Sequence, residues 1–166
     1  LCSVDLFGAN LRAQAITDII RKACEFSDVR DFCFEVLGDD PLANLARNKF
    51  HLEDIAIELA TTNYSYIHRR VWTITFSETN PDLKHIYRSC LHEYNVMKTD
   101  FRNFIPALVF NGDLESVALD ASYHVNTCEY YFIRSPNISN PFAQDNDNMF
   151  KFLDLIRGIY LAPLGS

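Results

Sequence analysis

The histidines have the most versatile side-chain chemistry in this chain, but their spacing provides little catalytic potential. They lie at positions 51, 68, 85, 92 and 124. His85 and His92 are seven residues apart on a predicted helix, yet no second histidine follows His92-Glu93 at the spacing that a zinc-protease helix requires. We interpret both as solvent-facing helix residues and expect no metal site.

Other catalytic constellations also lack essential parts. The adjacent carboxylates Glu53-Asp54 and Asp39-Asp40 are typical of helix-surface and helix-terminus charges. The sequence contains no glycine-rich loop that would hold a phosphate. A cysteine–histidine nucleophile would need a free thiol, and we expect only Cys2 to remain free. The sequence therefore predicts a protein that is not an enzyme and uses no cofactor.

The five cysteines, at positions 2, 24, 33, 90 and 128, include no Cys-x-x-Cys pair. Zinc ribbons and fingers need two close pairs, so two disulfides and one odd thiol are the simpler interpretation, which indicates an oxidising compartment. The tripeptides Asn63-Tyr-Ser and Asn137-Ile-Ser, with the rarer Asn126-Thr-Cys, match the N-glycosylation pattern and weakly favour secretion.

Length and charge restrict the class of protein further. A chain of 166 residues fits one domain, and 13 Phe and 8 Tyr argue against disorder. A net charge of −7 argues against nucleic acid or an anionic membrane as partner, and no apolar run approaches the roughly 20 residues of a membrane span. We assign residues 1–10 to an N-terminal arm, with a remnant of signal-peptide processing as the alternative, and residues 11–166 to one domain.

Apolar residues recur at helical spacing along that domain. Two short helices, over 11–25 and 31–37, flank the loop 26–30, and the second is expected to end at Gly38. A long helix follows over 44–75, where the β-branched run 71–75 leaves a strand as a minor alternative. Its predicted apolar face consists of Leu52, Ile55, Leu59, Ile67, Val71 and Ile74.

The helix that starts at Pro81 has the clearest pattern in the sequence. Eight apolar residues are spaced 4-3-4-3-4-3-4, which is typical of a bundle helix, and Pro106 is expected to kink or end it. Helices over 113–134 and 148–161 are joined by the polar connection 135–147. The sequence therefore predicts an all-α fold, with a helical hairpin (11–40) before an antiparallel four-helix bundle (41–166). The eight residues are Leu83, Tyr87, Cys90, Tyr94, Met97, Phe101, Phe104 and Leu108.

The cysteine positions suit this arrangement. Cys24 and Cys33 flank the hairpin loop, whereas Cys90 and Cys128 lie on the apolar faces of two neighbouring bundle helices. A bridge within each pair would stabilise the fold by about 3 and about 4 kcal/mol, from the entropy of the loops that they close.

Several motifs resemble those of the plant invertase inhibitor and pectin methylesterase inhibitor family. The first is Cys24-x8-Cys33-x3-Leu37-x2-Asp40-Pro41. The likeness extends over residues 16–162, so nearly the whole chain is covered. The other matching segments are Asp82-Leu83-Lys84 with Tyr87-Arg88-Ser89-Cys90 and Tyr94, Gly112-Asp113 with Ala118 and Ala121, Thr127-Cys128-Glu129, and Asn146-Asp147-Asn148 with Phe150 and Leu153.

The resemblance implies a secreted plant protein of the cell wall or apoplast, with disulfides Cys24–Cys33 and Cys90–Cys128. Family members cover the substrate cleft of a pectin methylesterase or an acid invertase, which implies a one-to-one complex, and several are pollen allergens. Leu114-Glu115-Ser116 stands where invertase inhibitors often have Pro-Lys-Phe, so we favour pectin methylesterase. The segments 128–132 and 141–142 are more similar to invertase inhibitors, so acid invertase remains the alternative.

An inhibitor needs exposed anchors, and Tyr123 and Tyr130 lie seven residues apart on an outward stripe. The alternative is that both tyrosines pack against the connection 135–147. Histidines on such a surface predict pH-dependent affinity. The predicted partner-binding residues are His92, Asn95, Thr99, Arg102 and Asn103 on the second bundle helix and Ser116, Asp120, Tyr123, Thr127 and Tyr130 on the third.

Two other functions are compatible with a helical bundle. One is a receptor ligand, storage protein or allergen without inhibitory activity. The other is a small-molecule carrier, which large Phe and Tyr side chains at the interior positions argue against.

Overall fold

The computed structural model describes residues 16–164, and within them all regular secondary structure is helical. The predicted arm 1–10 and the start of the first predicted helix lie outside the described residues. The helices are α1 (Asp18–Phe26), α2 (Arg30–Asp39), α3 (Lys49–Ser77), α4 (Pro81–Val109), α5 (Leu114–Ile133) and α6 (Ala143–Leu161), with a short 3-10 helix at Ala43–Leu45.

Side-chain caps determine where four of these helices begin. The side chains of Thr17, Asn48, Asn80 and Asp113 accept hydrogen bonds from backbone N–H groups in the first turns of α1, α3, α4 and α5. Pro81 occupies the start of α4, where a missing N–H costs nothing. The caps place α1 and α3 later than their predicted starts at 11 and 44.

The predicted stop at Gly38 is wrong, because α2 continues to Asp39 and Gly38 has no positive φ. The chain instead turns at Asp40, whose carboxylate accepts the N–H of Ala43 at 2.8 Å. The strand alternative for 71–75 is also wrong, since α3 continues to Ser77. Pro106 does not end α4, which extends to Val109, and the left-handed backbone of Asn111 (φ 53°) then turns the chain.

Helix α6 begins five residues earlier than the predicted start at 148. The side chain of Asn140 accepts the N–H of Phe142 at 2.8 Å, and the Phe142 ring is fully buried. Burial of this ring anchors the chain just before α6, so the connection between α5 and α6 spans only residues 134–142. The first turn of α6 was not predicted because its sequence is polar. Two of its polar residues, Asp145 and Asn146, are buried, which the sequence pattern does not indicate.

Helices α3–α6 form the bundle, and the α1–α2 hairpin packs against α6. The hairpin contains the disulfide Cys24–Cys33, with Cα atoms 5.4 Å apart, and Cys90–Cys128 joins α4 to α5, with Cα atoms 4.6 Å apart. Seven of the eight interior residues predicted for α4 are buried, and Leu83 is half-buried. Within the described residues, no helix has the length and apolarity to cross a lipid bilayer.

Candidate functional site: the outer face of α4 and α5

A polar cluster joins the flanks of α4 and α5. Nδ1 of His124 lies 2.8 Å from Oε2 of Glu93, and its Nε2 lies 3.6 Å from Oδ2 of Asp100. The hydroxyl of Tyr131 donates to the other oxygen of Glu93 at 3.2 Å. Each helix thus contributes two residues seven apart, which places them on one flank. That spacing is visible in the sequence, but only the packing shows that the two flanks meet.

Burial sets the electrostatics of this cluster. The pKa of Asp100 is raised by burial, an effect that nearby His124 opposes and Asp120 reinforces. The pKa of Tyr131 is raised by burial and by the adjacent Glu93 carboxylate. Oδ2 of Asp100 is buried and has no hydrogen-bond partner among the described residues. The cluster therefore fixes the relative position of α4 and α5. Other, exposed side chains of the two helices form the surface that faces solvent.

Tyr123 and Tyr130 provide large exposed rings on that surface. They are 65% and 52% exposed, so the alternative that they pack against the α5–α6 connection is wrong. Tyr123 meets the ring of His124 edge-on at 5.6 Å, and the guanidinium of Arg134 lies 5.7 Å from the Tyr130 ring centre. Both rings are therefore oriented by neighbours while remaining accessible to a partner.

The predicted partner-binding residues on α4 divide into two groups. His92, Thr99 and Asn103 are exposed on the open side of the helix. Asn95 instead turns towards α3, where its Oδ1 lies 2.7 Å from Nε2 of His68. Arg102 lies seven residues after Asn95 and therefore shares its side of α4.

The predicted partner-binding residues on α5 differ in solvent exposure and in their hydrogen bonds to the rest of the helix. Asp120, Tyr123 and Tyr130 are exposed. The hydroxyl of Thr127 donates to the carbonyl of Tyr123 at 2.9 Å and is half-buried. Ser116 is exposed and bonded to the capping Asp113 through its N–H and its hydroxyl. We define the outer α4–α5 surface as His92, Thr99, Asn103, Asp120, Tyr123 and Tyr130.

A second polar network lies inside the bundle, beneath the start of α6. The hydroxyl of Tyr94 donates to Oδ1 of Asn146 at 2.6 Å. The amide of Asn146 donates to Glu129 at 2.5 Å, and the amide of Asn140 donates to the same carboxylate oxygen at 3.1 Å. Burial raises the pKa of Tyr94 far above its usual range. Glu129 and Asn146 belong to the family-like motifs of the sequence, and their contact joins α5 to α6.

The two predicted glycosylation sites, Asn63 and Asn137, differ in accessibility. Asn137 is exposed in the connection before α6. Asn63 lies in the middle of α3, and its amide nitrogen, the atom that a glycan would modify, is buried. The folded structure therefore favours Asn137 and disfavours Asn63.

Glu53, interpreted from the sequence as a helix-surface charge, is buried, and this prediction is wrong. Lys49 lies one turn earlier, with its ammonium 3.9 Å from the carboxylate. Both line an open pocket of about 370 Å³ at the end of the bundle, together with apolar residues such as Leu108 and Leu114. Among residues 16–164 no group of three His, Cys, Asp or Glu side chains is placed to hold a metal ion.

Comparison with known families decides the classification of this fold. The family described as plant invertase/pectin methylesterase inhibitor matches residues 18–156. The chain belongs to this family. The family consists of inhibitors rather than enzymes. No complete catalytic motif was found in the sequence either.

A solved structure of this family has the same fold. It is a crystal structure of a mutant form of a pectin methylesterase inhibitor from Arabidopsis, with a TM-score of 0.72 at 16% sequence identity. The match covers 89% of this chain and 99% of that chain. At this identity the likeness establishes the shared helical fold and leaves the target open. No curated protein sequence matches the chain.

Proposed function

We propose that this inhibitor-family protein is secreted to the apoplast, where it binds one molecule of a pectin methylesterase and covers its active-site cleft. The segment Leu114-Glu115-Ser116 stands where invertase inhibitors often have Pro-Lys-Phe. This difference is the reason for choosing pectin methylesterase as the target. Leu114 is buried, Glu115 pairs with Arg157 at 3.2 Å, and Ser116 is bonded to Asp113. The segment therefore presents no lysine to a partner and is occupied by internal contacts.

The outer α4–α5 surface supports the proposed mode of binding. Its residues stand on two helices that are joined by a disulfide and by the His124 cluster, so little freedom is lost on docking. Exposed tyrosines are preferred anchors at protein interfaces. We place Tyr123 at the centre of the contact, with Asp120 and Thr99 beside it.

Acid invertase is the second candidate target, favoured by the segments 128–132 and 141–142. In the structure Cys128, Phe132 and Phe142 are buried, and Tyr131 is half-buried. Most of the residues that resemble invertase inhibitors are therefore core residues. They stabilise the fold and are not exposed to a target enzyme. Tyr130 is the exposed exception.

The test is a titration of a purified pectin methylesterase and, in parallel, an acid invertase with the oxidised protein at about pH 6, where histidine begins to charge. We expect stoichiometric loss of methylesterase activity and unchanged invertase activity. Tyr123→Ala should weaken inhibition by about tenfold or more, as expected for a central interface tyrosine. The matched control is Tyr66→Ala, because Tyr66 is 64% exposed on α3. Full activity of both enzymes with the folded protein in excess would contradict the proposal.

A histidine, His92, on the proposed contact surface predicts pH-dependent inhibition, because histidine as a residue type is the side chain that switches charge near physiological pH. We expect the inhibition constant to vary between about pH 5 and 8 and to vary less in His92→Gln. An inhibition constant that is flat from about pH 5 to 7.5 in the unmodified protein would refute the role of histidine.

A further inference from the structure

A second exposed surface lies on the flank of α4 that faces α3. Its charged side chains are cations, whereas the chain as a whole has a net charge of −7. Arg88, Asn95, Lys98 and Arg102 are exposed and follow one another at spacings of 7, 3 and 4, so they form one stripe along α4. The hydrogen bond that Oδ1 of Asn95 accepts from Nε2 of His68 places this stripe beside α3. Its three cations extend over 14 residues, or about 21 Å at the rise of an α-helix.

Helix α3 adds a cation and two exposed rings to this surface. Arg69, Trp72 and Phe76 are spaced 3-4 next to His68 and share one exposed flank. Trp72 and Phe76 are 52% and 50% exposed, and their ring centres are 4.8 Å apart. We name the set Arg69, Trp72, Phe76, Arg88, Lys98 and Arg102 the α3–α4 basic face.

Carboxylates are scarce around these cations. The sequence from 61 to 77 contains no Asp or Glu, and within residues 16–164 none of the four cations forms an ion pair. Glu93 and Asp100 turn to the other side of α4, where they contact His124. The carboxylate of Glu78, at the end of α3, accepts backbone N–H groups of Thr79 and Asn80. The face is therefore positive on a chain whose net charge is −7.

We propose that the α3–α4 basic face binds an acidic polysaccharide of the polyuronate type. Four unpaired cations strung along two helices suit an extended polyanion, whereas a single small anion needs cations that converge on one point. The neighbouring rings of Trp72 and Phe76, which are tilted by 40° to each other, supply apolar surface for the C–H faces of sugars. The acidic remainder of the chain repels nucleic acid, with its dense phosphate charge.

The binding assay uses polygalacturonate, with its fully methyl-esterified form as the uncharged probe and a single-stranded oligonucleotide as the rival polyanion. We expect the protein to bind polygalacturonate and not to bind its methyl-esterified form. The affinity for polygalacturonate should fall as the salt concentration rises from about 50 to 200 mM. Arg69→Gln with Lys98→Gln should weaken this binding about tenfold, and Trp72→Ala should weaken it without altering the net charge.

The matched control is Lys22→Gln with Arg47→Gln, which removes the same charge from two exposed residues outside the face. This variant should bind polygalacturonate like the unmodified protein. Equal weakening in both double variants would overturn the proposal, because net charge alone would then account for binding. Tighter binding of the oligonucleotide, or undiminished binding of the ester, would also overturn it. The proposal does not depend on the inhibitor function, since no residue changed here belongs to the outer α4–α5 surface.

Discussion

At the scale of single residues, the buried carboxyl of Glu53 makes stability depend on pH. Burial raises its pKa above the ordinary value of 4.5, and Lys49 opposes this only in part. The folded state therefore retains this proton at a pH where the unfolded chain has released it, so the group lowers stability as the pH rises above 4.5. We expect Glu53→Gln to become more stable relative to the unmodified protein between about pH 4 and 7, measured by urea unfolding. The control is Asp54→Asn, an exposed neighbour. A constant difference across this range would contradict the assignment.

Accessibility of the two amide groups predicts which glycosylation site is used. Asn137 is exposed, whereas the amide nitrogen of Asn63 is buried within α3. We expect peptide mapping by mass spectrometry of the protein expressed through a eukaryotic secretory pathway to find a glycan on Asn137 and none on Asn63. A glycan on Asn63 in the folded protein would contradict the burial of its amide nitrogen within α3.

At the scale of helices, the two glycines in helices α2 and α6 should respond oppositely to alanine. A Cβ at Gly158 of α6 would lie 2.8 Å from Oγ and 3.1 Å from Cα of Ser27, in the hairpin turn. A Cβ at Gly38 of α2 would be 3.7 Å from its nearest neighbour, an ordinary contact. We expect Gly158→Ala to cost about 1–3 kcal/mol by forcing the hairpin away from α6, and Gly38→Ala to gain about 0.5–1 kcal/mol. Thermal unfolding of both variants measures the difference, and stabilisation by Gly158→Ala would refute the close contact.

At the scale of the whole molecule, the two disulfides stabilise different parts of the chain. Cys90–Cys128 closes a loop of 38 residues within the bundle, and Cys24–Cys33 closes one of 9 within the hairpin. From loop entropy, Cys90→Ala with Cys128→Ala should lower the free energy of unfolding by about 4 kcal/mol, and the hairpin pair by about 3 kcal/mol. Urea unfolding of the two double variants checks the order. A larger loss for the hairpin pair would mean that native contacts, rather than loop entropy, dominate.

The whole molecule also separates two exposed surfaces on either flank of α4. One carries the tyrosines that we propose as inhibitory anchors, and the other carries the cations and rings of the α3–α4 basic face. Of the ten residues predicted to bind one partner, Asn95 lies beside α3 through its contact with His68.

The sequence by itself determined the helices, the bundle and most of its core. Apolar spacing along α4 identified its buried side, and the cysteine motifs carried the family resemblance from which both disulfides were inferred. These features depend on local periodicity and on caps, which each segment encodes without its neighbours.

Only the tertiary structure decided which polar flanks meet and which polar groups are buried. The His124 cluster, the inward carboxyl of Glu53 and the early start of α6 all involve polar residues that sequence patterns assign to the surface. The physical reason is that periodicity orients a residue relative to its own helix. Its surroundings depend on the rotation and height of the neighbouring helices, which packing of the whole core sets.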